Sequence, residues 1–536
     1  MDKNNSILDA LIKGYGTDFP GTDELFKLNL HPDYKMGPLT SPFPATARYF
    51  KNISFMSDVT SPLSIGSERL RIMVEYFISL CELMTDYKGK RKKIGTDLTE
   101  EDKKVLRQIP KNLDNVVRAE FLEKFTDHDT AAAGDLLKII IATKLPHLAS
   151  FVEAVHFNRT SEDAMSNVFG IVGNKLVYGH LIPNILELCI DIIMYTEKYD
   201  SDHQPLILPA LTHKQSAIPN TLRIKLFKRV FKIIELICDE LMINERFKPF
   251  TGNLSGPIGN FTCDYACYPD INWHDFAESF VTGLGLKNEE FSDQCSSYTR
   301  EVQIFGTINN ILGQVIKLTQ DFIDMVSCPA QLFVKVPKAG KKGSSIMPGK
   351  SNLWAMEGAI EMLLKAQNNL SFLAQRLPLY PHEGNMGRSF LFRDIGNDFA
   401  PIFIAFTRIR RELKACQPNQ KKIDAFLNEY PGMSGAVIQN ILKRENISGD
   451  AYRELQKISI NSDGGYANSE EFHINLSLML NKLDIPDDIQ YEIHTITQAR
   501  NMVKTQHLKC GNAIKLIKFD IKFIEFAVSE MKKTFN

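Results

Sequence analysis

The sequence lacks several features that would assign it to a specialised class of protein. Lysine and arginine total 63 against 64 aspartate and glutamate, so no overall basic charge attracts nucleic acid or an anionic membrane. The nine cysteines are scattered, and the nearest pair, Cys263 and Cys267, has neither the spacing nor the histidine partners of a zinc site. These absences predict a reducing compartment, no bound metal and no nucleic-acid partner.

The chain also lacks a secretory signal and a long uninterrupted apolar run. Its first residues do not join a basic start to an apolar segment. The most apolar stretch, 181–195, contains Pro183, Asn184, Glu187 and Asp191, and by its length it is too short to cross a bilayer. We therefore expect a cytoplasmic protein that does not enter membranes.

Strand-like alternation is scarce, whereas helical periodicity is strong from Ser67 onward. Before that point, residues 1–60 are rich in proline, glycine, aspartate and serine, which predicts arms and loops. Two apolar stripes, over 221–242 and 356–377, predict long packed helices. The clearest stripe steps by four and three residues through Ile304, Ile308, Ile311, Val315, Leu318, Phe322 and Met325.

This pattern predicts an all-α fold with a central bundle of long helices between two smaller helical regions. We place an N-terminal helical domain with an extended arm at 1–153, the central bundle at 154–408 and a C-terminal helical domain at 409–536. Apolar seams of this length are often completed by other subunits, so an oligomer is expected. The seams support the structure, and the chemistry must lie in the loops between them.

One loop of the predicted bundle has an unusual composition: GSSIMPGKSN, residues 343–352. Glycine and proline exclude a core strand or a buried helix face, while backbone N–H groups, hydroxyls and lysines suit an anion. Composition alone leaves three interpretations: a solvated surface loop, a nucleic-acid patch and a catalytic loop for a small polyanion. Nucleic acid is the weaker one, because the chain is not basic and no aromatic platform for stacking bases accompanies the lysines. The lysines in and before the loop are Lys335, Lys338, Lys341, Lys342 and Lys350.

Four other polar segments lie where long helices are expected to begin or end. Each is weak by itself, since Thr-Ser before Glu-Asp is usually a helix cap. A lone Thr-His pair is likewise more often a hydrogen-bonded histidine at a helix end. The segments are SPFPATARY (41–49), TDHD (126–129), HFNRTSED (156–163) and LTHKQSAIP (211–219).

Together these segments resemble a known superfamily. GSSIMPGKSN matches the signature loop GSSxMPxKxN of the fumarase/aspartase/argininosuccinate lyase superfamily at seven fixed positions within ten residues. The other segments are similar to SPxDGRY, TNHD, HFxxTSED and RTHGQPATP of the adenylosuccinate lyases, in their longer bacterial branch. SGPIGNF and YPDINWHDFAESFVTGLGL continue the match, which runs from about Ser41 to beyond Arg393. No comparable anchor covers the C-terminal region.

The resemblance implies an all-α homotetramer whose active sites each draw on three subunits, with no cofactor and no metal. It implies β-elimination of fumarate from adenylosuccinate, giving AMP, and from the related succinyl-carboxamide ribotide of purine biosynthesis. A base removes a proton from the carbon beside a carboxylate, and an acid protonates the departing nitrogen. A serine can act as that base only where N–H donors and a cation stabilise its alkoxide. A histidine suits the acid because it titrates near neutrality.

By motif position, the resemblance makes Ser344 the base and His213 the acid. The remaining matching residues become substrate contacts, including an Arg-Tyr pair for the phosphate and hydroxyl and cationic groups for the carboxylates. For Gln294 and Arg393, an ordinary loop amide and a surface helix residue are equal alternatives. The predicted contacts are Arg48, Tyr49, Asp127, His128, Asp129, Thr160, Ser161, Gln294, Ser345, Lys350, Ser351, Asn352, Ser389 and Arg393.

The chain departs from the family's pattern beside these residues. The chain replaces the glycine and the proline that follow the acid in the family pattern, and also a histidine, an asparagine and an arginine of that pattern. Arg388 is a candidate substitute for the missing arginine. The departures leave three functions open: an adenylosuccinate lyase, a lyase for another succinyl-amine such as argininosuccinate, and a non-catalytic superfamily member. The replacing residues are Lys214, Ser216, Tyr298, Gly358 and Gly384.

Overall fold

A computed structural model of the chain describes residues 3–16, 19–29, 47–327, 330–337, 343–447 and 450–534. The helices that precede the bundle are mostly short, and 3₁₀ segments lie at Ser54–Met56 and Pro146–His156. These helices are α1 (Lys3–Lys13), α2 (Thr22–Lys27), α3 (Phe50–Ile53), α4 (Ser57–Thr60), α5 (Pro62–Asp86), α6 (Glu100–Gln108), α7 (Asp114–Thr126) and α8 (Asp129–Lys144).

The central helices are longer and include two π-helical segments, Lys175–Leu181 and Ile237–Leu241, each continuous with the helix before it. They are α9 (Ser161–Asn174), α10 (Ile182–Tyr199), α11 (Leu222–Leu236), α12 (Thr262–Cys267), α13 (Trp273–Gly283), α14 (Thr299–Val326), α15 (Trp354–Arg376), α16 (Gly387–Arg393) and α17 (Ile395–Ala415).

The C-terminal region is a set of short helices followed by one long helix, with a 3₁₀ segment at Pro431–Ser434. Its helices are α18 (Gln420–Glu429), α19 (Gly435–Arg444), α20 (Ala451–Ser459), α21 (Ser469–Lys482), α22 (Asp487–Ile496) and α23 (Ala499–Lys533).

The described strands form four two-stranded sheets, of which only the β5–β6 pair is parallel. The strands are β1 (Ile207–Thr212), β2 (Gln215–Thr221), β3 (Met242–Ile243), β4 (Arg246–Phe247), β5 (Thr251–Gly252), β6 (Lys287–Asn288), β7 (Phe333–Lys335) and β8 (Cys416–Pro418). The β1–β2 hairpin is the longest of these pairings, and β7 and β8 pair antiparallel at one end of the bundle.

The all-α prediction is confirmed, and so are its three long helices. Every residue of the clearest stripe, from Ile304 to Met325, is at most 3% exposed within α14. Burying a side chain of this size stabilises the fold by about 1.5–3 kcal/mol, so this stripe is a major part of the core. The other two stripes form α11 with its π-helical extension, and α15.

The prediction of arms and loops over 1–60 is wrong where those residues are described. Helices α1 to α4 lie in this region, and Leu25 of α2 is fully buried. Proline and glycine punctuate the segment, but the stretches between them are long enough for one to three helical turns. The predicted arm at 30–46, which includes most of SPFPATARY, lies outside the described residues.

The argument from length against a membrane span is also wrong. The apolar stretch is part of a continuous 39-residue helical segment, Ser161–Tyr199, which is long and apolar enough to cross a bilayer and is the single such segment among the described residues. Its most apolar window is 67% buried inside the protein, as in the core helix of a soluble protein. Burial therefore accounts for its apolar character.

Two hydrophobic cores are present. The larger one joins the N-terminal helices, the bundle and α23, whose Ile514, Ile517 and Ile521 pack into it. The smaller one, between Ile438 and Ile493, belongs to the short C-terminal helices. The division at 153 and 408 stays a prediction.

Helix α15 connects the two ends of the bundle that matter for the site. It packs against both α14 and α17. Its first residue, Trp354, follows the loop 343–352 near β7 and β8, and its last, Arg376, lies near α16. At about 1.5 Å per residue, its 23 residues separate the β7 end from the α16 end by about 33 Å.

Candidate active site

His128 and Asp129 lie at the start of α8, with His128 as the N-cap. The Nδ1 atom of His128 accepts the N–H groups of Thr130 at 3.2 Å and Ala131 at 3.4 Å. Because Nδ1 accepts these bonds, the proton of the neutral ring lies on Nε2. The side chain is 44% exposed, so this Nε2–H group can reach a ligand. Asp127 precedes His128. It is exposed, and its φ of 51° lies in the left-handed region.

Asp129 joins two segments that are far apart in the sequence. Its Oδ2 accepts hydrogen bonds from Arg69 Nη2 at 2.6 Å and from Arg393 Nη2 at 2.5 Å. Burial opposes ionisation, but the two guanidinium groups hold the pKa of the Asp129 carboxyl below its usual value. The structure therefore brings together two predicted residues, Asp129 and Arg393. Sequence analysis misses Arg69, because a single arginine inside a helical segment forms no motif.

Helix α16 carries Ser389 and Arg393 but presents them differently. Ser389 is 5% exposed, whereas the Arg393 side chain is 50% exposed. Phe392 stacks on Phe169 of α9, with ring centroids 4.6 Å apart, and this contact fixes α16 against the bundle. Arg393 is thus the residue of this pair that faces the open surface.

Gly384, which replaces an arginine of the family pattern, fits closely against the Gln294 side chain. A β-carbon at this position would lie 2.3 Å from Oε1 of Gln294, whose backbone N–H donates to the Glu383 carbonyl at 2.9 Å. The candidate substitute, Arg388, is 6% exposed, and its Nη1 donates to the Ser296 carbonyl at 3.0 Å. Arg388 therefore anchors α16 internally and does not replace the arginine at the open surface. Gln294 keeps a partly exposed side chain beside Gly384.

Tyr298 replaces a histidine of the family pattern and is a structural residue. It is 3% exposed, and burial raises its pKa well above the ordinary tyrosine value. The guanidinium of Arg388 lies 5.5 Å from the centre of its ring. A phenol with so high a pKa does not exchange protons near neutrality, so the replacement removes a titrating group from this position.

Thr160 and Ser161 begin α9, as the helix-cap interpretation predicts. The N–H and hydroxyl of Thr160 both donate to Asp163 Oδ2, at 2.6 Å and 3.1 Å. Asp163 is buried, and its Oδ1 accepts the Gly256 N–H at 3.0 Å. Ser161 is partly exposed in the first turn, where N–H groups and the helix dipole favour an anion. The cap is observed, and a carboxylate contact at this helix start stays a prediction.

A buried ion pair holds this segment in place. Arg159 Nη2 donates to Asp264 Oδ1, and Arg159 Nη1 donates to the Leu254 carbonyl at 2.8 Å. The two charged side chains are 3% and 1% exposed. Motif comparison does not find this pair, because its two members are about a hundred residues apart and neither is a fixed position of the quoted patterns.

His213 lies at the tip of the β1–β2 hairpin, not at the end of a helix. Thr212 pairs with Gln215, which leaves His213 and Lys214 as a two-residue turn, and both are exposed. Their φ values, 51° and 63°, are the positive values that a type I′ turn requires. The strands place the imidazole in solvent, clear of its own chain. Ser216 is partly buried in β2, and its hydroxyl has no partner among the described residues.

Replacing Lys214 with glycine, the residue that the family pattern has at this position, is expected to stabilise the protein. A non-glycine residue in the left-handed region costs about 1 kcal/mol, and glycine removes that cost. We expect a small rise in the thermal unfolding midpoint. The control is Lys522→Gly on the exposed face of α23, where glycine should lower stability by about 1 kcal/mol. Equal effects of the two substitutions would contradict the assignment of strain to the turn.

In the loop 343–352, two backbone N–H groups point at one serine oxygen. Ser344 Oγ accepts the Met347 N–H at 3.1 Å and the Ile346 N–H at 3.4 Å. A β-carbon on Gly343 would lie 2.4 Å from the Lys350 carbonyl, so the loop closes on itself where only glycine fits. The rest of the loop is exposed at Ser345, Lys350 and Ser351 and half-buried at Asn352.

The base of this loop is fixed to the bundle by Lys335 of β7. Its Nζ donates to the Asn352 carbonyl at 3.0 Å and pairs with Glu412 of α17 at 2.6 Å. Lys335 is therefore structural and is not available to a ligand. Three lysines of the predicted cluster lie outside the described residues: Lys338, Lys341 and Lys342.

Arg48 and Tyr49 lie at the same β7 end. Tyr49 accepts a hydrogen bond from Arg408 through its hydroxyl, and the Arg408 guanidinium lies 4.8 Å from the centre of its ring. Arg408 also lies 5.5 Å from the ring centre of Trp354, the first residue of α15. Arg48 is exposed beside Tyr49.

The predicted site residues thus form three groups within one chain. Eight lie at the α16 end and His213 lies alone on its hairpin. The Arg48–Tyr49 pair lies with the 343–352 loop at the opposite end of α15, a helix about 33 Å long. No hydrogen bond or ion pair among the described residues joins His213 to Ser344. The group at the α16 end contains Asp127, His128, Asp129, Thr160, Ser161, Gln294, Ser389 and Arg393.

The described ranges contain no group of three or more His, Cys, Asp or Glu side chains placed to hold a metal ion. The predicted site residues offer a hydroxyl, an imidazole, guanidinium groups and backbone N–H donors. Such groups bind anions and move protons.

Comparisons with known proteins agree on one family for this chain. A family model described as "Lyase" matches residues 68–367, more than half of the chain. The chain is 26% identical over 469 residues to the adenylosuccinate lyase of Dictyostelium discoideum, covering 86% of this chain and 96% of that one. It is 24% identical over 390 residues to that of Haemophilus influenzae, covering 72% and 80%.

The fold has a relative among solved structures. The crystal structure of beta-carboxy-cis,cis-muconate cycloisomerase from Acinetobacter calcoaceticus superposes with a TM-score of 0.55 at 12% identity. The match covers 88% of this chain and 97% of that one. At this identity the likeness concerns the fold alone.

Proposed function

The chain belongs to the lyase family of the fumarase/aspartase superfamily, and from this membership we propose that it is an adenylosuccinate lyase. It splits adenylosuccinate into AMP and fumarate by β-elimination, and acts in the same way on the succinyl-carboxamide ribotide. The observation that carries the proposal is the signature serine, retained in a loop that turns two N–H groups onto its oxygen. The named activity of the relatives supports the choice of substrate.

The elimination needs a base and an acid on opposite sides of the substrate. Ser344 Oγ, as the alkoxide, takes the proton from the carbon beside a succinyl carboxylate. The electron pair of that C–H bond forms the double bond of fumarate as the C–N bond breaks, and protonated His213 donates to the departing nitrogen. The Ile346 and Met347 N–H groups and the Lys350 ammonium stabilise the alkoxide and the charge that develops on the carboxylate.

The remaining predicted residues bind the two ends of the substrate. Thr160, Ser161, Lys350 and Asn352 hold the succinyl carboxylates, with His128 presenting its Nε2–H group to the same region. The phosphate is held by the Arg48–Tyr49 pair. Ser345, Ser351, Asp127, Gln294 and Arg393 complete the contacts, and Asp129 orients Arg393. Ser389, predicted as a contact, is 5% exposed and therefore supports α16 instead.

A complete site requires more than one chain. Within a chain, the α16-end group and the 343–352 loop lie at opposite ends of α15, whose length of about 33 Å exceeds the reach of one small substrate. A symmetric assembly solves this by placing the loop of one chain against the α16 end of another, with the His213 hairpin supplied by a third. We therefore propose a homotetramer with shared sites, acting in the cytoplasm.

The test is fumarate release by the purified protein. With adenylosuccinate we expect turnover on the order of 1–100 per second, followed by the ultraviolet absorbance of fumarate and by chromatography of AMP. The succinyl-carboxamide ribotide and argininosuccinate are measured in parallel, because Lys214 beside the acid changes its surroundings. Turnover with argininosuccinate alone would assign another substrate. A rise in melting temperature with adenylosuccinate but no product would indicate a non-catalytic member.

A further inference from the structure

Arg408, on α17, is a buried cation with no carboxylate partner among the described residues. The residue is 8% exposed, and no Asp or Glu of the described ranges lies within ion-pair distance of it. Its described hydrogen bond goes to the neutral Tyr49 hydroxyl. Its neighbours are paired: Arg410 binds Glu187 and Asp191. A guanidinium removed from water without an opposite charge is costly, and such groups characteristically mark sites where an anion binds.

Two aromatic rings and a second arginine lie around Arg408. The guanidinium lies 4.8 Å from the ring centre of Tyr49 and 5.5 Å from that of Trp354. Trp354 is 52% exposed and Arg48 is exposed beside Tyr49, so Arg408 lies next to residues that are in contact with solvent. The Tyr49 hydroxyl accepts from Arg408, which leaves its own proton to donate to that anion.

The sequence makes room for Arg408 at a position where the chain departs from the family pattern. A β-carbon on Gly358 would lie 2.6 Å from Arg408 Nη1. The asparagine of the family pattern therefore could not coexist with this arginine in its present position. Gly358 lies in the first turns of α15, whose N-terminus adds a favourable field for negative charge.

From these observations we propose that Arg408 is a phosphate-binding residue, which together with Arg48 and Tyr49 holds the phosphate monoester of the nucleotide substrate. The inference rests on the proposed function for the identity of the substrate, but the anion site itself does not. Two guanidinium groups and a phenol suit a dianionic phosphate through charge-assisted hydrogen bonds. Gly358 acts as the positioning residue, because its lack of a side chain admits the guanidinium.

The test measures binding and turnover separately in Arg408→Met, which keeps the length of the side chain and removes its charge. Inorganic phosphate and AMP affinity, measured by calorimetry on the intact protein, should fall about ten- to hundredfold. The KM for adenylosuccinate should rise by a similar factor while kcat stays within about threefold, because the phosphate does not react. Succinate affinity should not change, which distinguishes phosphate from carboxylate binding.

Two further variants make the result decisive. Gly358→Asn should reproduce the loss of phosphate affinity while Arg408 itself is retained, because the new side chain displaces the guanidinium. This variant tests the proposal if Arg408→Met does not fold. Arg376→Met, which removes an exposed arginine stacked on Tyr380 at the far end of α15, should leave phosphate affinity unchanged. Unchanged phosphate affinity in both Arg408→Met and Gly358→Asn would overturn the proposal. If phosphate binding depends on Arg408 but the protein releases no fumarate, the proposed activity is wrong and the proposed phosphate site stands.

Discussion

Ser344→Ala is expected to reduce fumarate release from adenylosuccinate by about a thousandfold or more while the fold stays intact. The substitution removes the oxygen that we propose takes the proton, and we do not expect the neighbouring hydroxyl of Ser345 to replace it. The Ser344 side chain accepts bonds from Met347 and Ile346 in an exposed loop, so its loss costs little stability. Initial rates and circular dichroism on the same preparation check both statements.

The matched control is Ser327→Ala, which removes an exposed serine hydroxyl after the last turn of α14, outside every predicted site. It should keep wild-type rates. A Ser344→Ala protein that retains a tenth or more of the activity would remove the serine from its role as base. Substrate binding should persist in Ser344→Ala, so the loss should appear in kcat.

Mixed oligomers test the separation of Ser344 and His213 within the chain. His213→Ala should also be inactive, since the acid is lost. When both inactive variants are co-expressed and assemble at random, about one quarter of the sites should combine an intact Ser344 with an intact His213 from different chains. Activity should therefore return to about a quarter of the wild-type value. No recovery in verified mixed oligomers would mean that one chain supplies both residues.

The largest expected effect on stability comes from Asp264→Ala. Asp264 is fully buried against Arg159, and removing it leaves that guanidinium without a close carboxylate. The Leu254 and Phe157 carbonyls, the Tyr76 ring and a longer contact of 3.9 Å to Asp163 would remain. Breaking a buried pair in this way costs about 3–5 kcal/mol. Chemical denaturation should show this as a decrease in the free energy of unfolding.

Two further variants test whether the loss of the buried ion pair explains the effect of Asp264→Ala. Asp270→Ala, at an exposed carboxylate six residues away, should change stability by no more than about 0.5 kcal/mol. The double variant Arg159→Met, Asp264→Leu should be more stable than Asp264→Ala, because no unpaired charge remains buried. A loss of less than about 1 kcal/mol in Asp264→Ala would show that water or Asp163 compensates the arginine.

Apolar periodicity was sufficient to predict the long helices, because each stripe must be buried along its whole length. The seven stripe residues of α14 illustrate this: all are buried. Local composition was less informative. Local composition missed α1 to α4, because short helices depend on packing such as the burial of Leu25 in the larger core. It also missed the β1–β2 hairpin. The hairpin's turn carries His213 and Lys214 in place of the Asn-Gly that usually marks such turns.

The C-terminal region illustrates the same limit. No motif anchors it, yet the structure shows it in contact with the hairpin that carries the proposed acid. The Tyr466 hydroxyl donates to Oε1 of Gln215 at 2.9 Å, and Tyr430 packs edge-on against Tyr466. Contacts between residues about 250 positions apart are set by packing, which local sequence does not encode.

By itself, the sequence determined the fold class, the family and the residue types available for chemistry, because helical periodicity and a loop motif of seven fixed positions are local properties of the chain. Only the tertiary structure decided which of those residues meet. It joined Asp129 to Arg393, turned Arg388 inward and left Arg408 without a carboxylate among the described residues. The physical reason is that charge pairing and burial depend on distance in space.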